Sequence, residues 1–230
     1  PFKMARRGLV WMAGKLKYAP VSGASPQPRT VIATPWLLAA ALALAVGSAQ
    51  AERWVTYIID PEATRIGFHW TYMGMLSPRG QFSQATGTII CDLDQPEAAK
   101  VDVRIPVHTL KTFMPLIDST LLKSGDYFQP DKFPYMHFRS TEMMHLKKDT
   151  REFSLVGELT VNGITKPVIL SAKVAHALQG NPLSSGALTA TSRFRRSDFG
   201  MNKMLGVVGD EMQIVLQVKA MEAKALFVAP

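Results

Sequence analysis

Residues 152 to 174 read EFSLVGELTVNGITKPVILSAKV. Phe153, Leu155, Leu159 and Val161 fall on one face of an extended chain, and Ser154, Glu158 and Thr160 fall on the other, with Gly157 interrupting the apolar row. That is the period of two of a half-buried strand. After Asn162-Gly163 the alternation resumes with Val168, Leu170, Ala172 and Val174 on one face. Asn and Gly both accept positive φ, so the pair predicts a tight hairpin turn between two strands. Their shared apolar wall must be covered by others.

Further strands are predicted at Trp54 to Ile59, Arg65 to Tyr72, Arg79 to Ser83 and Thr86 to Leu93, with proline in the intervening breaks at Pro61, Pro78 and Pro96. Proline cannot donate to a ladder and suits such turns. Val101, Val103, Ile105 and Val107 alternate with polar residues and Pro106, and strand character returns at Tyr135 to Leu146, Phe153 to Val161, Val168 to Ala177, Ala187 to Phe194 and Gln213 to Lys219. Between Phe113 and Phe128 the spacing shifts to three and four, at Leu116, Ile117, Thr120, Leu121 and Ser124, with Pro115 placed for a first turn and Gly125 for a stop. One or two short helices are expected there, as a lid or end-plug. Nine or ten antiparallel strands with little helix predict an all-β fold, a sandwich or a closed barrel. About eight strands around a barrel leave an interior that side chains fill or that holds one small ligand, and periodicity leaves both open.

The strands begin beyond a different kind of segment. Residues 1 to 51 carry six basic residues and no acidic one, and Trp36 to Val46 (WLLAAALALAV) is an apolar run of eleven residues ahead of Gly47-Ser48-Ala49-Gln50-Ala51. A basic flank, a short apolar core and a small-x-small end predict a secretory signal peptide cleaved after Ala51, leaving one domain over 52 to 230 in the periplasm. A membrane anchor is disfavoured because a crossing helix needs about 20 apolar residues. The pair Arg6-Arg7 lacks the long apolar follow-on of a twin-arginine signal. The whole chain has 26 basic and 18 acidic residues, a net charge of +8. With the leader set aside the balance falls to 20 against 18, so no nucleic-acid partner is expected. Arg193, Arg195 and Arg196 are read as a solvated stretch of strand. Cys91 is the one cysteine; it excludes an internal disulfide and is read as a buried, inert thiol.

The sequence carries no Gly-x-Ser-x-Gly elbow, phosphate-cradling glycine loop or His-Glu-x-x-His motif, so no catalytic residue and no metal site is assigned. His69, His108 and His137 fall opposite the apolar rows and read as solvated or rim histidines; His176 falls in phase with its row, at a strand end. Asp118 stands alone among Met114, Leu116, Ile117 and Leu121, either as a helix surface or capping residue or facing a polar group inside. Phe68, Trp70 and Tyr72 share a strand face, and Phe82, Phe113, Phe128, Phe138, Phe153 and Phe194 come from other elements. With Met73, Met75, Met114, Met143 and Met144 they form a large, pliable apolar inventory whose plain reading is core.

Three stretches carry a resemblance. Leu159 to Val168 (LTVNGITKPV) resembles the hairpin signature of the polyisoprenoid-binding YceI-like family, Arg196 to Gly200 (RSDFG) resembles its second signature, and Gly125-Asp126-Tyr127-Phe128 with Lys132-Phe133-Pro134 and Phe138 matches a third. They occur in family order, and the resemblance spans roughly Val55 to Met221. It implies an antiparallel, closed, lipocalin-like β-barrel in the periplasm, with the helical insert as a lid, holding a long apolar lipid and performing no catalysis. The implied ligand-binding residues are Phe68, Trp70, Tyr72, Phe82, Phe113, Leu116, Asp118, Leu121, Phe128, Phe138, Phe153 and Phe194. Thr112, Asp118 and Leu121 fit the family pattern, whereas Ile117 replaces its arginine, and Thr120, Tyr72 and Asn162 replace histidines. Loss of four polar positions disfavours a charged head group such as a diphosphate. The resemblance therefore implies a weakly polar lipid, an isoprenoid alcohol, quinone or fatty amide, with no other cofactor. The mature domain is expected not to insert stably in a membrane, and a homodimer is left open. The alternative is a filled, ligand-free barrel serving as an envelope or stress-response interaction module; an enzyme acting through Asp118 and a nearby histidine ranks last.

Overall fold

The computed structural model describes residues 54–175 and 185–223. The expected leader, with its core at 36–46 and Ala51, and His176 lie outside them. Ten strands are present: β1 (Trp54–Ile59), β2 (Arg65–Tyr72), β3 (Arg79–Phe82), β4 (Thr86–Asp92), β5 (Lys100–Pro106), β6 (Tyr135–Lys147), β7 (Glu152–Val161), β8 (Ile164–Val174), β9 (Ser185–Arg195) and β10 (Val208–Glu222). Among the described residues one α-helix, α1 (Pro115–Lys123), follows β5 after a short 3-10 turn at Val107–Thr109. Every neighbouring pair is antiparallel.

The sheet closes on itself through β10. One side of β10 pairs with β9 from Glu211 opposite Arg195 to Met221 opposite Ser185. Its other side is shared: β2 occupies the first part, with Ile214 opposite Phe68, and β1 the last, with Ala220 opposite Ile59. β1 and β2 are thus one wall position interrupted at residues 60–64, and β3 and β4, which pair with them, are a second, interrupted at 83–85. Ten strands therefore build an eight-position closed barrel. The expected barrel is present and the sandwich is not.

Threonine hydroxyls bridge both interruptions. Thr64 Oγ1 donates to the Lys219 carbonyl at 3.3 Å and accepts from the Lys219 N–H at 3.2 Å. Thr109 Oγ1 lies 2.9 Å from the Ser83 carbonyl and accepts from the Ser83 N–H at 3.2 Å.

The hairpin at the heart of the sequence forms as its turn requires. Asn162 and Gly163 hold φ of 51° and 75°, and β7 and β8 stay in register from Val161 opposite Ile164 to Glu152 opposite Lys173. Gly157 is explained by space: a Cβ there would lie 2.5 Å from the Arg139 carbonyl oxygen and 2.6 Å from two ring atoms of Phe138. β8 begins at Ile164 rather than Val168, with Pro167 inside it. Pro167 stands where β8 pairs with β7 alone, since β9 joins only from Ser171, so a single ladder runs past the missing N–H. β10 is much longer than the expected Gln213 to Lys219, because three strands supply partners along it.

Pro115 opens α1 with a preset φ, Asp118 sits in its first turn and Lys123 in its last, both favourable to the helix dipole. Gly125, at φ 74°, ends the excursion. The expected one or two helices reduce to this one, which ends before Phe128.

Candidate functional site

The inward rows of the strands enclose a continuous apolar cavity of about 720 Å³. Its hollowness is visible strand by strand. On β10 the outward residues are exposed while inward Met212, Ile214 and Leu216 remain only partly buried, and on β7 Phe153 does likewise although Leu155, Leu159 and Val161 are buried. A wall facing a filled core would bury all of them. The filled-barrel alternative is thus corrected by the cavity.

Ten of the twelve residues singled out from sequence line it: Phe68, Trp70, Tyr72, Phe82, Leu116, Leu121, Phe128, Phe138, Phe153 and Phe194. Rings stack in series along one wall, Trp70 on Phe68 at 5.6 Å between centroids, Phe68 against Phe82 at 5.3 Å, and Phe82 edge-on to Phe128 at 5.5 Å. This series runs from β2 through β3 to the segment after α1, and each contact favours a rigid, apolar wall.

Phe113 and Asp118 do not line the cavity. Phe113 has φ 65° and is 67 % exposed, its left-handed backbone turning the ring to the outside. Asp118 accepts hydrogen bonds from the Thr112 N–H at 2.7 Å and the Thr112 hydroxyl at 2.6 Å, and so ties α1 back to the chain entering it. Asp118 is thus a helix-surface residue tied to the preceding segment, with Met114 and not Asp118 at the N-cap, and the inward reading is corrected.

Aliphatic lining residues such as Ile66, Leu170, Leu188 and Leu216 are absent from the aromatic list drawn from sequence, although the alternation had placed several of them on inward faces. Arg196, expected to be solvated, is 3 % exposed. Its guanidinium donates to the carbonyls of Met201 (2.6 Å), Lys203 (2.8 Å), Val208 (2.9 Å) and Gly209 (3.1 Å), and it lies 6.0 Å from the Tyr127 ring centroid. Burial pulls its pKa down, while Tyr127 and Asp210 act the other way. Asp210 accepts from the Ser197 N–H and hydroxyl, and although burial raises its pKa, those bonds and the neighbouring Arg196 and Arg195 hold it below the usual carboxylate range. The Arg-Ser-Asp-Phe-Gly stretch is therefore a clamp on residues 201–209. Arg193 and Arg195 are exposed, as read.

Polar groups on the lining are few. Cys91 faces the interior, and burial pushes its thiol up to about 11, so it stays protonated at neutral pH. Tyr57 is fully buried; burial, then Cys91 and Glu222 nearby, raise its pKa. Lys148 and Arg151, from the β6–β7 turn, border the end of the cavity away from α1. Among the described residues no histidine lines the cavity, and no group of three His, Cys, Asp or Glu is placed to hold a metal ion. His137 sits on the outer wall, 2.7 Å from Asp102, which Arg139 also approaches at 3.2 Å. Chemically the arrangement can desolvate a long apolar molecule, and the lining is apolar apart from a few groups that include Cys91, Asp92, Lys148, Arg151 and Arg196.

The chain resembles known proteins over this whole barrel. A UPF0312 protein of Yersinia enterocolitica is 33 % identical over 193 residues, covering 82 % of this chain and 96 % of that one. The crystal structure of Burkholderia cenocepacia BcnA superposes with a TM-score of 0.62 at 17 % identity, over 71 % of this chain and 99 % of that one. A polyisoprenoid binding domain from Saccharophagus degradans, implicated in plant cell wall breakdown, has a TM-score of 0.50 at 8 % identity, over 72 % and 98 %. Both structures share the fold. The YceI-like domain model matches residues 57–220, and with these boundaries enclosing nearly all of the described barrel, the chain belongs to the YceI-like family.

Proposed function

We propose that the protein binds one long-chain, weakly polar lipid of the isoprenoid, quinone or fatty amide type in its barrel and carries or sequesters it in the periplasm, without catalysis. The observation that carries this reading is the continuous apolar cavity of about 720 Å³. Its size is that of a built small-molecule site, which is roughly 300–1,000 Å³. Each buried methylene adds about 0.8 kcal/mol, so chain length supplies affinity and few polar contacts are needed. The name of the Saccharophagus degradans domain, polyisoprenoid binding, supports the ligand class. The leader read at 36–46 supports export.

Native mass spectrometry of the exported protein, purified without detergent and then extracted with organic solvent, tests it. A discrete added mass that extracts as an isoprenoid, quinone or fatty amide is the expected result. An apo mass unchanged by incubation with a lipid extract overturns it. Leu170→Trp, which fills the cavity from the β8 wall, should reduce the lipid-bound fraction.

A further inference from the structure

We propose that the α1 end of the barrel is a docking surface for an anionic lipid bilayer, which it meets peripherally with the cavity mouth against the membrane. Three segments meet there. The β2–β3 turn exposes Met73, Met75 and Leu76 at 60 %, 84 % and 60 %, the entry to α1 and its first turn expose Phe113, Met114 and Leu116 at 67 %, 42 % and 82 %, and the chain entering β10 exposes Met204, Leu205 and Val207 at 50 %, 43 % and 39 %. They are neighbours: the Met73 N–H donates to the Val207 carbonyl at 2.8 Å, and Gln81 of β3 pairs with Lys111. Clustered exposure of this kind marks an interaction surface, whereas single exposed apolar residues are ordinary.

Two further observations choose the partner. Leu116 and Met204 are both exposed and part of the cavity lining, so the outer patch is continuous with the interior. Residues 73–79, 111–117 and 199–209 also contain Arg79, Lys111 and Lys203; of the acidic residues at their borders, Asp118 is engaged by Thr112 and Asp210 by Ser197, Asp198 is exposed, and Lys203 lies 3.7 Å from Asp126 of the neighbouring segment. An apolar rim flanked by cations suits an anionic membrane surface. Each segment also holds one bulky side chain outward on a left-handed backbone, Met73 at φ 52°, Phe113 at 65° and Met204 at 54°. Such φ values are disfavoured for residues other than glycine and persist where surrounding structure imposes them. Among the described residues no helix is long and apolar enough to cross a membrane.

The test uses the full chain with Cys91→Ser and one introduced cysteine carrying an environment-sensitive dye, at Met75→Cys or, on the opposite end, at Asp149→Cys. With vesicles of phosphatidylglycerol and phosphatidylethanolamine, emission from position 75 should shift to the blue and emission from 149 should not, and added salt should weaken the effect. In the unlabelled chain, Met75→Glu with Phe113→Asn should lower vesicle affinity about tenfold or more with the lipid-bound mass and melting temperature kept, since neither residue lines the cavity. No shift at 75, equal shifts at both positions, or a shift without vesicles that grows with protein concentration overturns the proposal, the last by naming a second copy as the occupant. Lipid content is read separately, so vesicle docking and lipid binding fail independently.

Discussion

The two ends of the barrel differ in what their loops are made of. Away from α1, the β6–β7 turn is polar, and Glu152 is flanked by Lys173 at 3.2 Å and Lys147 at 3.8 Å, all solvated. At the α1 end the β2–β3 turn, the chain entering α1 and the chain entering β10 are apolar, and a buried arginine holds the last of them through four carbonyls. A loop that water can solvate needs no internal scaffold. Four carbonyls within residues 201–209 are instead met by the buried Arg196 side chain, and hydrogen bonds left unmade there would be expensive. Arg196 replaces the missing ladder.

The largest expected effect tests that replacement. Arg196→Met should destabilise by about 3–5 kcal/mol in urea unfolding, because it strands several buried acceptors at once. Hydrogen exchange should show residues 201–209 opening first while the β6–β7 turn keeps its protection. Unchanged stability would reduce the clamp to decoration. Asp118→Ala comes next: losing the charged partner of the Thr112 N–H and hydroxyl should lower stability by about 1–2 kcal/mol, with lipid content unchanged. A fall in lipid content without loss of stability would return Asp118 to the binding site. Smallest is Glu152→Gln at the solvated end. Its carboxyl is held below the usual range by Lys173, through a hydrogen bond and charge, with Thr150 and Lys147 also lowering it. A depressed carboxylate stabilises above its unfolded pKa and loses that contribution as pH falls through the folded one. Exposure screens the contribution, so the variant should match the parent closely at neutral pH and coincide with it in acid. A large neutral-pH loss would show that this end too depends on a fixed polar contact.

How much of this was legible in the sequence depends on how local the determinant is. β1 and β2 have the bounds their alternation predicts, Trp54–Ile59 and Arg65–Tyr72, because period and proline breaks are local signals. β10 was cut short at both ends, since Val208 to Glu211 and Ala220 to Glu222 are strands only through partners on β2, β9 and β1. Inward and outward faces were readable, but the hollow between them was not, because a packed wall and a cavity wall share the same alternation. The aromatic emphasis found much of the lining and went astray at Phe113, where a left-handed φ overrides spacing. Arg196 shows the same limit from the other side. Three arginines within four residues look equally solvated until the fold wraps a loop around one of them.

The threonines at the two wall interruptions bear on a hazard that concerns chains more than ligands. A β-sheet that stops leaves bare N–H and C=O groups, which template pairing with a neighbouring molecule and lead to edge-to-edge aggregation. At Lys219 the Thr64 hydroxyl accepts from the N–H and donates to a carbonyl that the Asp60 N–H also meets at 2.8 Å, and at Ser83 the Thr109 hydroxyl accepts from the N–H while its proton lies within reach of the Ser83 and Pro106 carbonyls. Thr64 is itself 1 % exposed. The barrel can therefore bend at two places without acquiring an open edge. Valine at either position, similar in shape and mute in hydrogen bonding, would leave one backbone N–H of the wall, that of Lys219 or of Ser83, without the acceptor that meets it here.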